Sequence, residues 1–359
     1  MKMIMKFVFI FMAAGALMAA GGCQRSANPY IDGSDEITPE QRLEKLGRLA
    51  FFDESLSEPP GEACATCHDP AAAFTDPRGG PTSKGALPSH VGTRNTPTAM
   101  YAAAVPPLAF KDPDDGFAGG LFLDGRVDSL EEQAHKPLTN PIEMGNADAA
   151  AVVAKVRVAP WADLFRRTFG AGALDDDAAA FDALAQAIAA FERRPELSPS
   201  SSKYDAYVAG KTELTAAEAR GLALFTDEKK GNCAACHPPP AFTDFTYDNL
   251  GIPPNPATGH ADTIDHGLAT TLGDATYDGM FRVPTLRNIA LTAPYGHNGY
   301  FADLHSIVDF YNTRDVRPWP APEVPATMNK EELGHLGLSD GEVDDLVAFL
   351  YTLTDGWQP

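Results

Sequence analysis

Hydrophobic and polar positions along the chain follow the period of amphipathic α-helices, and several of these helices carry a recognisable start. The capping pattern Ser/Thr-x-x-Glu/Gln, which satisfies free backbone N–H groups at a helix N-terminus, occurs at Thr38 with Gln41, Ser129 with Glu132, Thr215 with Glu218, and Ser339 with Glu342. Apolar side chains then recur at helical spacing, for example at Leu43, Leu46 and Leu49. The pattern predicts a mainly α fold.

The same order of predicted elements occurs twice. A helix over 39–51 precedes a Cys-rich segment at 64–68, and a helix over 216–225 precedes a similar segment at 233–237. The first half ends in an apolar helix over 182–191, the second in one that carries Val343, Leu346, Leu350 and Leu353. A Ser/Pro-rich linker at 198–202 separates them, which predicts domains over 24–200 and 201–359.

Long loops rich in Pro and Gly fill the space between these helices. Residues 69–120 and 238–279 show no sustained period of either helix or strand. Both stretches nevertheless contain aromatic residues such as Phe74 and Phe242, which a solvated linker rarely carries. We interpret them as segments that wrap around a bulky cofactor.

Two copies of Cys-x-x-Cys-His suggest what that cofactor is. In Cys64–His68 and Cys233–His237, two thiols one helical turn apart are placed to form thioethers with the vinyl groups of a haem, and the adjacent His to bind its iron. A zinc ribbon is the alternative, but its Cys pairs usually lie about 15–20 residues apart. Here the motifs are 169 positions apart, which favours two covalently bound c-type haems.

The N-terminus and the net charge indicate where the protein acts and what it meets. Lysines and then an apolar run over 7–20 predict an export signal over 1–23, hence a periplasmic protein. Cys23 resembles the lipidation site of bacterial lipoproteins; the alternative is ordinary signal cleavage with Cys23 lost or idle. The net charge of −21 disfavours a nucleic-acid partner and favours a basic redox protein.

Beyond the haem motifs, ordered sequence blocks resemble the bacterial di-haem cytochrome c peroxidase / MauG family. The blocks are Phe51-Phe52-Asp53, Ala73-Phe74-Thr75-Asp76, Thr93-Arg94-Asn95-Thr96-Pro97-Thr98, Asp124-Gly125-Arg126, Ser129 to Ala134, Asn140-Pro141-Ile142-Glu143-Met144, Val283 to Asn288, and Pro294-Tyr295-Gly296-His297. The resemblance implies two cytochrome-c-like domains with a calcium ion between them, and in many relatives a homodimer.

The resemblance also implies roles for particular residues. Gln133 and Glu143 match the pair that hangs over the open face of the peroxidatic first haem. Asn95, Thr292 and Pro294 match the calcium ligands. Arg282, His297 and Arg287 match positions near the second haem, where they would neutralise propionates.

Several positions differ from the pattern of classical family members, and these differences limit the set of possible functions. Classical members close the first haem with a second His, but that position is Ala86 here, with His90 a few residues out of register. Their second haem has a Met ligand, whereas this chain has Tyr311, as MauG-like members do. Two Trp positions, one between the haems and one before the second motif, are Leu123 and Gly231.

Peroxide chemistry is therefore expected at an open first haem. The leading hypothesis is an oxidoreductase of the cytochrome c peroxidase type, which reduces hydrogen peroxide with electrons from a small cytochrome c or another redox protein. The alternative is a MauG-like enzyme that uses a peroxide-derived high-valent haem to oxidise a protein partner. A simple electron carrier is disfavoured because carriers keep both axial positions filled.

Overall fold

The computed structural model describes residues 37–359, and within this range helices joined by long loops dominate. The helices are α1 (Pro39–Phe51), α2 (Cys64–Cys67), α3 (Leu130–Thr139), α4 (Ala149–Val158), α5 (Ala162–Phe169), α6 (Asp177–Glu192), α7 (Lys203–Val208), α8 (Ala216–Thr226), α9 (Leu268–Leu272), α10 (Leu304–Thr313) and α11 (Asp340–Tyr351). The expected mainly α class is confirmed. The export signal and Cys23 lie outside the described residues.

Capping residues start the helices where the sequence predicts. The Thr38 hydroxyl accepts from the Gln41 N–H at 3.2 Å, and the Thr38 N–H donates back to the Gln41 side chain at 3.0 Å. Thr215 and Glu218 form the same reciprocal pair at the start of α8. The helix predicted over 182–191 begins earlier, at Asp177, because Asp176 caps it and an alanine-rich first turn extends it.

A close helix crossing organises the first hydrophobic core. α1 packs across α6, and Gly47 lies so close to the Ala187 carbonyl that a Cβ would come within 1.7 Å of its oxygen. Phe51, Phe165 and Phe191 fill the core around this crossing, each at most 2 % exposed. Glycine is thus the residue that lets the two backbones touch.

The second core repeats this arrangement with different residues. α8 packs across α11, and a Cβ on Gly221 would lie 2.0 Å from the Asp345 carbonyl oxygen. Phe225 and Phe349 pack beside the crossing with ring centroids 5.1 Å apart. Each half therefore closes an early helix against a late one through a glycine contact.

Among residues 37–359, four short strands form two separate antiparallel pairs. β1 (Ala109–Asp112) pairs with β2 (Gly116–Ala118), and β3 (Tyr247–Asp248) pairs with β4 (Phe281–Arg282). The β1–β2 hairpin and helix α9 lie in stretches for which we expected irregular loops. They are too short for a periodic pattern to be recognised in the sequence.

Residues 38–359 form one compact unit that contains both cores. The predicted linker at 198–202 lies between them along the chain, and Ser202 caps α7 directly after it. The domain boundary at 200/201 stays a prediction.

Candidate functional site

One continuous cavity of about 660 Å³ holds most of the residues that the sequence singled out. Both Cys-x-x-Cys-His motifs line it, as do Phe51 and Ile188 from the first core and Phe225 and Leu346 from the second. Its walls are mainly apolar with a few polar groups, which is typical of cofactor sites. The fold thus brings two segments 169 positions apart to one enclosure.

The first motif presents its ligands as a haem requires. Cys64 and Cys67 lie one turn apart on α2, and both are free thiols. Burial raises the pKa of each thiol to about 12. His68 follows at the helix end, and its Nδ1–H donates to the Phe74 carbonyl at 2.9 Å. Since burial also lowers the pKa of His68, the ring is neutral and Nε2 is left to bind a metal.

The second motif repeats this geometry in detail. Cys233 and Cys236 lie on a single 3₁₀ turn, and His237 Nδ1–H donates to the Phe242 carbonyl, again at 2.9 Å. Phe74 and Phe242 both have left-handed backbones, with φ of 56° and 54°. Such strain persists only where packing imposes it, and both rings are buried. The donor sets at the two motifs therefore fit two covalently attached haems.

Glu143 and Gln133 lie in the same cavity as the first motif. α3 carries Gln133, whose carboxamide makes no hydrogen bond to any residue in the range 37–359. Glu143 follows α3 in a turn where its carboxylate accepts from Asn140 Nδ2 at 2.8 Å. Burial raises the pKa of Glu143, which outweighs the lowering by the Asn140 bond and by Arg126. A protonatable carboxyl and a free amide thus converge on one space.

The loop that carries a closing His in classical relatives does not bring His90 to the described part of the cavity. The Ala86 N–H donates to the Glu143 carbonyl at 2.8 Å, which ties this loop to the segment that bears Glu143. His90 points its Nδ1–H at the Pro141 carbonyl, 2.7 Å away, and is not among the cavity-lining residues of the described chain.

Tyr311 reaches the cavity from α10 on the side of the second motif. Its hydroxyl has no hydrogen-bond partner between residues 37 and 359, and burial raises its pKa, with smaller contributions from Asp248 and the motif cysteines. Met280 and Met328 do not line the described part of the cavity. Asp248, also a lining residue, has its pKa raised to about 6 by burial.

Two of the three residues expected to neutralise propionates of the second haem line the cavity. Arg282 is 8 % exposed, and burial lowers its pKa. His297 stacks on Phe281 with centroids 4.0 Å apart and bonds Glu323 at 2.9 Å. Arg287 instead forms a bidentate pair with Asp205 and does not line the cavity within the described residues.

The three residues expected to bind calcium lie along one wall. Asn95, Thr292 and Pro294 all line the cavity. The Asn95 N–H donates to the His297 carbonyl at 2.7 Å, and its Nδ2 donates to the Pro81 carbonyl, which leaves Oδ1 available as a hard ligand. No cluster of three His, Cys, Asp or Glu side chains in residues 37–359 forms a metal site.

Sequence reasoning assigned no role to two ionisable residues of the cavity wall. Arg94 bridges Asp265 and Asp124, at 2.6 and 2.7 Å. Glu192 ends α6 and lines the cavity, buried to 6 % exposure. Its position four residues after the cavity-lining Ile188 was the available signal, because residues at that spacing share a helix face.

No described helix is long and apolar enough to span a membrane. Comparison with known proteins places these features in context. A family model described as di-haem cytochrome c peroxidase matches residues 41–213. The chain is 41 % identical to the methylamine utilization protein MauG of Paracoccus denitrificans, covering 94 % of this chain and 93 % of that one. It is 31 % identical to the cytochrome c551 peroxidase of Nitrosomonas europaea, covering 97 % and 90 %.

Solved structures agree with the sequence comparisons. The crystal structure of the diheme peroxidase BthA from Burkholderia thailandensis superposes with a TM-score of 0.83 at 35 % identity, covering 89 % of each chain. A MauG-like protein associated with microbial copper homeostasis superposes with a TM-score of 0.71 at 31 % identity, covering 88 % of this chain and 90 % of that one.

Proposed function

Because the chain belongs to the di-haem cytochrome c peroxidase / MauG family and is an oxidoreductase acting on peroxide, we propose that it cleaves hydrogen peroxide in the cavity beside Glu143 and Gln133. The observation that carries this proposal is the convergence of a buried carboxyl and an unbonded carboxamide on the space next to the first motif. A redox protein with a basic surface would supply two electrons, consistent with the net charge of −21.

Residues of this chain would handle the protons of the reaction. A haem attached at Cys64 and Cys67 and held by His68 would supply the iron for peroxide binding and redox chemistry. Glu143 would take a proton from one oxygen of the peroxide and return it to the other, and burial, which raises the pKa of Glu143, makes the protonated carboxyl easier to form. Gln133 orients the peroxide through its amide hydrogens. The overall balance is H₂O₂ + 2 H⁺ + 2 e⁻ giving two waters.

Tyr311 and His237 would together hold the second haem. Its hydroxyl faces the cavity without a partner among the described residues, and Cys233 and Cys236 lie near it. Because burial raises its pKa, the phenolate forms only where a cation such as ferric iron compensates its charge. An anionic oxygen ligand stabilises oxidised iron, so this haem would hold oxidising equivalents rather than readily accept electrons.

Further features complete the proposal. Arg282 and His297 would neutralise propionates of the second haem. Asn95 Oδ1 and the carbonyls of Thr292 and Pro294 would bind calcium. The two cores support division into domains over 24–200 and 201–359, and export to the periplasm would follow from the signal over 1–23.

A second function deserves an experiment because Tyr311 and the 41 % identity to a MauG protein favour it. In this alternative the chain passes oxidising equivalents to a protein partner. Steady peroxide turnover with a reduced small cytochrome, without prior half-reduction of the enzyme, supports the peroxidase. An oxidised state that such donors barely discharge supports the alternative.

Glu143→Gln tests the proposed acid–base role directly. The variant should cleave peroxide at least about 10²-fold more slowly in stopped-flow measurements, because glutamine cannot accept and return a proton. Glu213→Gln, an exposed position elsewhere on the chain, serves as the matched control and should match wild type. An unchanged cleavage rate in Glu143→Gln removes the assignment.

A further inference from the structure

The cavity wall contains a buried carboxyl that the proposed chemistry does not yet use. Glu192 ends α6 at 6 % exposure and lines the cavity, and its carboxyl makes no hydrogen bond to any described residue. Buried polar atoms almost always find partners, so an unpartnered carboxylate oxygen at this depth requires an explanation. We propose that Glu192 is the innermost proton carrier of a proton inlet, a path that brings protons from solvent to the peroxide cavity. The Arg193–Glu131 ion pair lies at the solvent end of this inlet.

The haem proposed for the first motif would not supply the missing partner. Cys64 lies close enough to Glu192 for a negative charge on the Glu192 carboxyl to raise the pKa of the Cys64 thiol. Thioether-bearing carbons of a porphyrin are hydrocarbon and offer no hydrogen bond, and the propionates lie on the opposite edge. Glu192 therefore faces space that only water or a substrate-derived group can satisfy.

A path to solvent begins directly beside Glu192. Arg193, the next residue, forms a bidentate pair with Glu131 on α3 at 2.6 and 2.8 Å. Their side chains are 46 % and 33 % exposed, so this pair meets bulk water while Glu192 does not. Three titratable groups interact electrostatically with Glu192. Arg193 lowers its pKa and Glu131 raises it, while Glu192 raises the pKa of the Cys64 thiol.

α3 continues the path toward the reacting oxygens. It carries Glu131 and the cavity-lining Gln133, and Asn140, which caps its C-terminus, donates to the Glu143 carboxylate. At 1.5 Å per residue the nine steps from Glu131 to Asn140 rise about 13 Å along the helix axis, and water would have to carry protons over this distance. Burial raises the pKa of Glu192 to about 8, so the group carries a proton at neutral pH.

The inference rests on the proposed peroxide chemistry and answers a need in it. Glu143 transfers a proton from one oxygen of the peroxide to the other, so its own protonation state is the same before and after, and it supplies no net proton. Reduction to two waters still consumes two protons from solvent, one with each electron. Glu192 would release a proton inward and recover one from the side of Arg193 and Glu131.

Glu192→Gln in the haem-loaded enzyme tests this role, because glutamine keeps the shape but cannot release a proton. Steady-state turnover with a reduced small cytochrome should fall about tenfold or more, while single-turnover peroxide cleavage stays within twofold of wild type. Glu196→Gln, an exposed glutamate four positions on, should leave both rates unchanged. The proposal is wrong if steady-state turnover of Glu192→Gln stays within twofold of wild type, or if steady-state turnover and single-turnover cleavage fall equally.

Infrared spectroscopy supplies a readout that needs no turnover. A protonated-carboxyl C=O band at neutral pH should be present in wild type and in Glu196→Gln and lost in Glu192→Gln. Wild type lacking this band overturns the proposal even if the variant fails to fold. Should wild type show the band but no peroxide turnover, the proposed function fails first, so the two failures are distinguishable.

Discussion

The glycine at the α8–α11 crossing allows a quantitative test of the fold. Gly221→Ala places a Cβ 2.0 Å from the Asp345 carbonyl oxygen and 2.8 Å from the Phe349 Cβ. Carbon atoms pack comfortably at about 3.5–4.0 Å, so the helices must separate by roughly 1.5 Å. Forced overpacking of this kind costs about 1–3 kcal/mol and occasionally more. Separation also loosens the contact between Phe225 and Phe349.

Helix propensity acts in the opposite direction and must be subtracted. Alanine is favoured over glycine in a helix interior by about 1 kcal/mol. Gly341 lies near the start of α11, where an added Cβ would meet no atom within 4 Å, and serves as the matched control. We expect Gly221→Ala to lose up to about 2 kcal/mol of unfolding free energy net, and Gly341→Ala to gain about 0.5 kcal/mol.

Urea unfolding of the haem-loaded protein, followed by circular dichroism, measures both variants. Gly47→Ala should behave like Gly221→Ala, because its Cβ would lie 1.7 Å from the Ala187 carbonyl oxygen. A Gly221→Ala protein as stable as wild type would show that the crossing is looser than described. Equal destabilisation by Gly341→Ala would show that backbone contact is not the cause.

Three further predictions concern the cavity and its partner. Tyr311→Met should raise the reduction potential of the second haem in a spectroelectrochemical titration, and an unchanged spectrum and potential would show that Tyr311 does not bind iron. Because burial raises the pKa of Glu192 from 4.5 to about 8, the folded protein keeps a proton on this carboxyl between those pH values while the unfolded chain loses it. As pH rises through this window, wild type should therefore lose about 1.4 kcal/mol of unfolding free energy per pH unit relative to Glu192→Gln, and a pH-independent difference contradicts this. Association with a basic cytochrome should weaken as salt increases, given the net charge of −21, and salt-insensitive binding would argue against electrostatic steering.

Local signals in the sequence predicted the parts of the fold that local physics determines. Helix starts at Thr38 and Thr215 followed from side-chain caps, which need no tertiary context. Both Cys-x-x-Cys-His motifs could be recognised because covalent haem attachment would require this spacing. Gln133 and Glu143 came from resemblance, and the structure places them in one cavity, although their roles stay a proposal.

Features that depend on distant contacts could not be predicted in this way. The β1–β2 hairpin has strands of four and three residues, too few for a period to emerge. Glu192 belongs to a residue type that is almost never fully buried, so composition argued against its true position. The pairing of Arg287 with Asp205 joins segments 82 residues apart, and no motif marks it.

The shared cavity makes the cofactors part of the architecture and not only of the chemistry. At about 24 cal/mol per Å³, an unfilled space of 660 Å³ costs on the order of 10 kcal/mol, comparable to the whole stability of a typical domain. The polypeptide alone would therefore gain little by adopting this shape. With haems attached at both motifs as proposed, maturation and folding would be coupled, because each porphyrin would fill part of one shared interior, and a defect at one motif would destabilise the cavity that both motifs line.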